Sequence, residues 1–203
     1  MTSEWTERLR TVERINVIGT SGSGKSTFGA RIAAALDLPF TELDAVFWGP
    51  NWRQPSDEEF IPQVEEIASG ERWVIDGNYT RTTPVKWRRV QLVVWLDLSF
   101  PRTIARVTRR CWRRALSGEE IWAGTGNRET LRQSFLSHKS VIFWAVRCYR
   151  RNRRRYGELC TDPPDELKHV WFVRLRSPGE VEEFLEAAAA VRDSAGCNRE
   201  TAG

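Results

Sequence analysis

Nine consecutive residues, Gly19-Thr20-Ser21-Gly22-Ser23-Gly24-Lys25-Ser26-Thr27, carry the most specific chemistry in the chain. A glycine, four residues and then Gly-Lys-Ser is the spacing at which backbone N–H groups curl inward around phosphate oxygens. A lysine then reaches the β and γ phosphates, and a hydroxyl faces Mg²⁺. The pattern assigns Gly19, Ser21, Gly22, Ser23, Gly24, Lys25, Ser26 and Thr27 to a nucleoside triphosphate, with Ser26 on the metal side. Its flanks agree. Arg14–Ile18 reads as a short buried strand, and Phe28, Ile32, Ala35 and Leu36 recur at helical spacing, so the phosphates meet a helix N-terminus.

Three aspartates close apolar stretches: Asp44 after Pro39–Leu43, Asp76 after Arg72–Ile75, and Asp97 after Gln91–Leu96. In an open parallel sheet, ligands bind beyond the carboxyl ends of the strands, so each aspartate is a candidate for the metal or for the group that receives phosphate. The competing role is a cap on the helix that follows. Asp76, followed by Gly77, is the expected metal-side carboxylate, with Asp97 as its rival. Asp44, with Trp48, Trp52 and Arg53 just beyond it, is expected to hold the acceptor. Arg106 and Arg110 stand four apart, share a helical face and suit one polyphosphate, with Arg128 expected to join them. The basic run continues through Arg150–Arg155, where a solvated charged face, a phosphate-gripping lid and a nucleic-acid surface all compete.

Strand and helix patterns alternate through most of the 203 residues, predicting one α/β domain over residues 1–192 with a parallel sheet covered on both faces. Ser56-Asp57-Glu58-Glu59 is a capping box opening a helix to about Ser69, and Pro101 begins a helix through Arg114. Helical segments at about 128–136 and 140–151, a fifth strand at Val170–Leu175 and a helix over Pro178–Val191 follow. Residues 193–203 read as a disordered tail. The net charge of +4 permits a nucleic-acid partner without demanding one. No run is apolar enough for a membrane span, and the scattered Cys111, Cys148, Cys160 and Cys197 suit a reducing cytoplasm. Trp73, Trp95, Trp144 and Trp171 fall in apolar segments and are expected in the core. His138 and His169 are left out of the chemistry, and monomer and homodimer both stay open. A guanine-binding Asn-Lys-x-Asp motif is missing, which excludes a GTPase of that type.

Taken together, Arg14–Thr27, Glu42-Leu43-Asp44, Trp48–Trp52, Val74–Tyr79, Trp95-Leu96-Asp97 and Val173–Pro178 resemble the adenylate-kinase-like proteins often labelled DNA topology modulation proteins. The resemblance spans nearly the whole chain. It implies a P-loop NTPase fold with a five-stranded parallel sheet, an acceptor-binding insertion at about 44–70 and a lid at about 114–136, together with ATP, Mg²⁺ and phosphoryl transfer to a small-molecule acceptor. It also implies that Arg106 and Arg110 are lid-base arginines. Asp76-Gly77 matches the start of the adenylate kinase Asp-Gly-Phe-Pro-Arg motif, whereas Asn78, Tyr79 and Thr80 depart from it, leaving nucleosides, nucleotides and other hydroxyl compounds as acceptors. A nucleic-acid-associated ATPase and a nucleotide sensor without turnover are the alternative readings.

Overall fold

The three central strands of a five-stranded sheet, buried on both faces, require cover on both sides, and the chain supplies it by alternating strand with helix. The computed structural model describes residues 2–130 and 141–200. In order, these form α1 (Thr2–Leu9), β1 (Arg14–Gly19), α2 (Lys25–Leu36), β2 (Phe40–Glu42), α3 (Leu43–Phe47), α4 (Asp57–Ser69), β3 (Trp73–Asp76), α5 (Thr83–Trp87), β4 (Leu92–Leu96), α6 (Phe100–Ser117), α7 (Val141–Thr161), β5 (Trp171–Leu175) and α8 (Pro178–Glu200). The strands pair in parallel in the order β2-β3-β1-β4-β5. One core, built on Ile15, Val17, Phe28, Ile32, Val94 and Phe184, lies beneath α1, α2 and α8; another, built on Leu43, Phe60, Trp73, Ile75, Val93 and Trp95, lies beneath α3, α4 and α5. The expected doubly wound α/β architecture is therefore present.

Several local expectations change. Strand β2 stops at Glu42, so Asp44 sits in the first turn of α3; Leu43 turns the chain by burying itself in the second core. Helix α1 was not foreseen. Its Trp5 and Leu9, one turn apart, pack on the first core, with Trp5 edge-on to Phe184 at 5.0 Å. Helix α8 runs to Glu200, past Val191 where the predicted helix ends, because no proline follows the run Ala187–Ala190 to stop it. The helix expected at about 128–136 falls mostly outside the described residues. Helix α7 runs ten residues beyond the predicted Arg151, its far end anchored by Tyr156 against Trp95 at 5.9 Å.

Trp144 is not in the core. The buried side of α7 is set by Ala145, Cys148 and Tyr149, which leaves Trp144 59% exposed with the Arg151 guanidinium 5.8 Å above its ring. Trp73 and Trp95 are buried as expected.

Asp97, just past β4, is buried and committed elsewhere than the metal. Its Oδ2 accepts from Arg174 Nε at 3.0 Å and Nη2 at 2.5 Å, and Arg153 of α7 approaches to 3.3 Å. Two guanidinia on one carboxylate tie β4, β5 and α7 together. Because Arg174 supplies both hydrogen bonds to this buried carboxylate and its loss leaves only the longer Arg153 contact, Arg174→Met is expected to cost about 3 kcal/mol in urea unfolding. A loss below about 1 kcal/mol, the worth of an exposed pair, contradicts this role for the cluster.

Candidate active site

Helix α2 begins without a side-chain cap. Gly24 at the N-cap holds φ 94° in the left-handed region and offers no hydrogen-bonding side chain, so the first-turn N–H groups at Lys25, Ser26 and Thr27 face the loop with no cap. Those donors and the positive end of the helix dipole make an anion site. Gly22 shows why the loop must be glycine-rich. A Cβ there would lie 2.7 Å from the Thr103 carbonyl oxygen and 2.9 Å from Val107 Cβ, both on α6. This close approach brings the arginine face of α6 over the loop. Arg106 Nη1 donates to the Ser23 carbonyl at 3.4 Å, and Arg110 Nη2 donates to Ser21 Oγ at 3.2 Å. Arg110 Nε and Ser23 Oγ are buried without protein partners.

The metal-side chemistry follows from sheet register. Parallel pairing of β2 with β3 sets Glu42 beside Asp76, and pairing of β3 with β1 sets Asp76 beside Val17, just before the loop. Ser26 Oγ is 2.6 Å from Asp76 Oδ2 and 3.0 Å from Glu42 Oε1, and its single proton serves one of them at a time. Asp76 Oδ1 is buried with no hydrogen-bond partner. Two carboxylates and a hydroxyl, completed by phosphate oxygens and water, form the hard-oxygen set Mg²⁺ prefers, so the residues fit that ion. Among the described residues no group of three or more His, Cys, Asp or Glu gathers into a protein-only metal site.

Burial pushes the Asp76 carboxyl up to about 6, against the opposing Lys25 charge and Ser26 hydrogen bond. Lys25 Nζ itself is loosely held, 3.5 Å from the Thr20 carbonyl. Behind Asp76, the fully buried Lys86 donates to the Gly77 carbonyl at 2.8 Å, and burial brings its ammonium down to about 7. Asn78 clamps the start of the loop: the Gly19 N–H donates to its Oδ1 at 2.9 Å, and its Nδ2 donates to the Gly19 carbonyl at 2.8 Å.

Asp44 is exposed, and Tyr79 donates its hydroxyl proton to Asp44 Oδ1 at 2.6 Å. Burial and the Asp44 charge push the Tyr79 hydroxyl far above the usual phenol range, so it stays a donor. Trp48 and Trp52 meet edge-to-face at 5.5 Å beside this pair. Arg53 turns away to Glu59, at 2.6 Å. Arg128 is exposed at an isolated bridge to Glu120. The structure thus brings Asp76, Arg106 and Arg110 to the Gly19–Thr27 loop, while Arg53, expected beside the acceptor, lines a recess with Phe47, Gly49 and Glu59.

Sequence reasoning missed Glu42, hidden by the misjudged end of β2. It missed Asn78 and Tyr79, noted above only as departures from a motif. It also missed the recess that runs from Gly24, Thr27 and Arg106 to Pro178, Val181 and Leu185. A proline opening a helix after the last strand was the available signal for that recess.

The chain matches no family model and no curated protein. Among solved structures it is similar to a shikimate kinase from Acinetobacter baumannii in complex with shikimate, at 14% identity and TM-score 0.53 over 94% of this chain and 98% of that one. A shikimate kinase from Bacteroides thetaiotaomicron aligns at 15% identity and TM-score 0.51 over 90% and 99%. A gluconokinase from Sinorhizobium meliloti 1021 aligns at 17% identity and TM-score 0.48 over 94% and 97%.

A carboxyl whose pKa rises from 3.8 unfolded to about 6 folded binds its proton more tightly in the folded state. Its contribution to stability is therefore greatest below pH 4, declines as pH rises from 4 to 6, and is flat above. The shift corresponds to about 3 kcal/mol. In Mg²⁺-free buffer, Asp76→Asn is accordingly expected to unfold at higher urea than wild type at pH 8, with the gap closing by pH 4. A variant less stable than wild type at pH 8 contradicts the assignment. The similarity to the shikimate kinases covers 94% and 90% of this chain, and the protein shares their fold.

Proposed function

We propose that the protein binds Mg·ATP on the loop before α2 and transfers the γ-phosphoryl group to a hydroxyl of a small molecule beside Asp44. One observation carries this reading. The uncapped α2 terminus, the Ser26–Asp76–Glu42 oxygens and the Arg106 and Arg110 guanidinia converge on one face of the loop, as phosphoryl transfer requires. Mg²⁺, held by Ser26 and Asp76 with Glu42, would neutralise the charge on the phosphates. Lys25, Arg106 and Arg110 share the charge that develops on the transferring group. Asp44, kept in place by Tyr79, accepts the proton of the attacking hydroxyl. The recess toward Pro178 is a fitting site for the adenine.

On this reading the chain is an adenylate-kinase-like cytoplasmic enzyme with one catalytic domain, an acceptor insertion near 44–70 and a lid near 114–136. The basic run of α7 favours this over a nucleic-acid ATPase. Arg153 is engaged by Asp97, Arg154 by Glu158 and Arg155 by the Thr80 hydroxyl, which diverts them from a phosphate-binding row. Arg128 has no assigned role here.

Lys25→Ala is expected to leave the fold intact and abolish the stabilisation by Mg·ATP. In thermal melts, wild type gains about 2.7 kcal/mol at one hundred times the dissociation constant and the variant gains almost none. Equal gains in both would refute the loop assignment. Asp44→Asn should keep the nucleotide-induced gain while acceptor-dependent ADP formation falls by roughly 10² to 10⁴. Arg106→Ala should reduce turnover by on the order of 10³. A variant at Asp44 that loses ATP binding, or one at Arg106 with wild-type turnover, contradicts the division of roles.

A further inference from the structure

The acceptor side of the site is an aromatic wall whose own two arginines, Arg53 and Arg81, are paired with acids. Contacts trace it outward from Asp44. Tyr79, bonded to Asp44, lies 4.9 Å from Phe47 between ring centroids; Phe47 is 5.0 Å from Trp48, Trp48 is 5.5 Å from Trp52, and Trp52 is 6.1 Å from Trp122. Phe47 is buried, whereas the three indoles stay partly exposed. An indole offers a broad apolar face at little conformational cost, which suits stacking on a ring.

This wall is held in a strained form. Asn51 and Trp52 both have positive φ, 55° and 61°. For residues other than glycine that conformation persists only where surrounding structure over-determines it, and such strain gathers at ligand-binding positions. The surrounding structure here is Asn127, fully buried. Its Oδ1 accepts from the Trp52 N–H at 2.8 Å, and its Nδ2 donates to the Gly49 carbonyl at 3.0 Å. The Asn51 N–H adds a bond to the Thr125 carbonyl at 3.3 Å.

Charge then decides the class of acceptor. Across residues 43–59 and 77–82 the only cations are Arg53 and Arg81. Arg53 is paired with Glu59. Arg81 is paired with Asp57 and lies over the Phe47 and Phe60 rings at 5.0 and 5.1 Å. Arg155 of α7 reaches the edge of this stretch, donating to the Thr80 hydroxyl at 2.6 Å. A carboxylate or phosphate on the acceptor would lose its hydration beside Trp48 and Trp52 and find Arg53 and Arg81 already held by acids, while Asp44 would repel it.

Resting on the kinase reading, we infer that the phosphoryl acceptor is an uncharged ring-bearing alcohol, of the nucleoside, neutral sugar or cyclitol class, stacked on Trp48 and Trp52 with its hydroxyl on Asp44. In the transfer, a bond forms from the acceptor oxygen to the γ-phosphorus and the bond from that phosphorus to the β–γ bridging oxygen breaks. The hydroxyl proton passes to Asp44, and ADP leaves with the electron pair. This acceptor differs in kind from shikimate, the carboxylate bound in the similar Acinetobacter structure.

The test is Mg²⁺-dependent ADP formation by the full-length protein against matched pairs: adenosine, guanosine, cytidine and thymidine beside their 5′-monophosphates, glucose beside gluconate, and myo-inositol beside its 1-phosphate. At least one neutral member should be turned over about tenfold or more faster than its charged partner. Trp48→Ala should raise KM for that compound by about tenfold with the Mg·ATP-induced thermal shift unchanged. The double variant Asp57→Asn, Glu59→Gln, which frees both guanidinia, should narrow the preference for the neutral member. Preference for a charged partner overturns the inference, as does an unchanged preference in the double variant. Silence from every neutral compound, in a protein still stabilised by Mg·ATP, overturns it equally. Absence of that stabilisation would instead strike the nucleotide reading beneath it.

Discussion

The N-terminus of α2 governs the arrangement of the whole site. A helix start normally satisfies its free N–H groups with a serine, threonine or aspartate; here a left-handed glycine stands in that position and leaves them to a ligand. Such a terminus is useful only if the loop before it is held open. Asn78 fixes the loop's first residue from the β3 side, and the packing of Gly22 against Thr103 and Val107 fixes its middle from the α6 side. The same packing delivers Arg106 and Arg110. The middle of the loop and its cationic cover therefore follow from one contact.

The second organising constraint is electrostatic. Asp76 is buried where a carboxylate is costly, next to Ser26, Glu42 and Lys25, with the buried Lys86 behind it. Asp97, at the equivalent end of β4, is as deeply buried but neutralised by Arg174 and Arg153. Two aspartates on neighbouring positions of one sheet thus have opposite fates. One is fully compensated and binds the sheet to α7; the other keeps an unpartnered oxygen beside the phosphate loop.

The phosphate loop, the sheet and the arginine pair on α6 were legible because local pattern and physics coincide there. A Gly-rich turn between strand and helix has few other uses, and spacing of four places two side chains on one face whatever surrounds them. What the sequence could not show depends on register and on side-chain choice of partner. Glu42 reaches Ser26 only because β2 ends one residue earlier than its apolar pattern suggests and aligns with β3. Arg53 is held by Glu59 and Trp144 lies on the outer face of α7, outcomes settled by which neighbours come within reach rather than by residue type. The aromatic wall likewise joins residues 47, 48, 52, 79 and 122, and only its first three members are near one another in the chain.

The most direct measurement of the central claim is a crystal structure with Mg²⁺ and a non-hydrolysable ATP analogue. The account predicts phosphates on the N–H groups of the loop, the metal on Ser26 and Asp76, and the terminal phosphate within hydrogen-bonding reach of Lys25 and at least one of Arg106 and Arg110. A nucleotide bound elsewhere, or bound on the loop with Asp76 making no contact to the metal directly or through water, would contradict it.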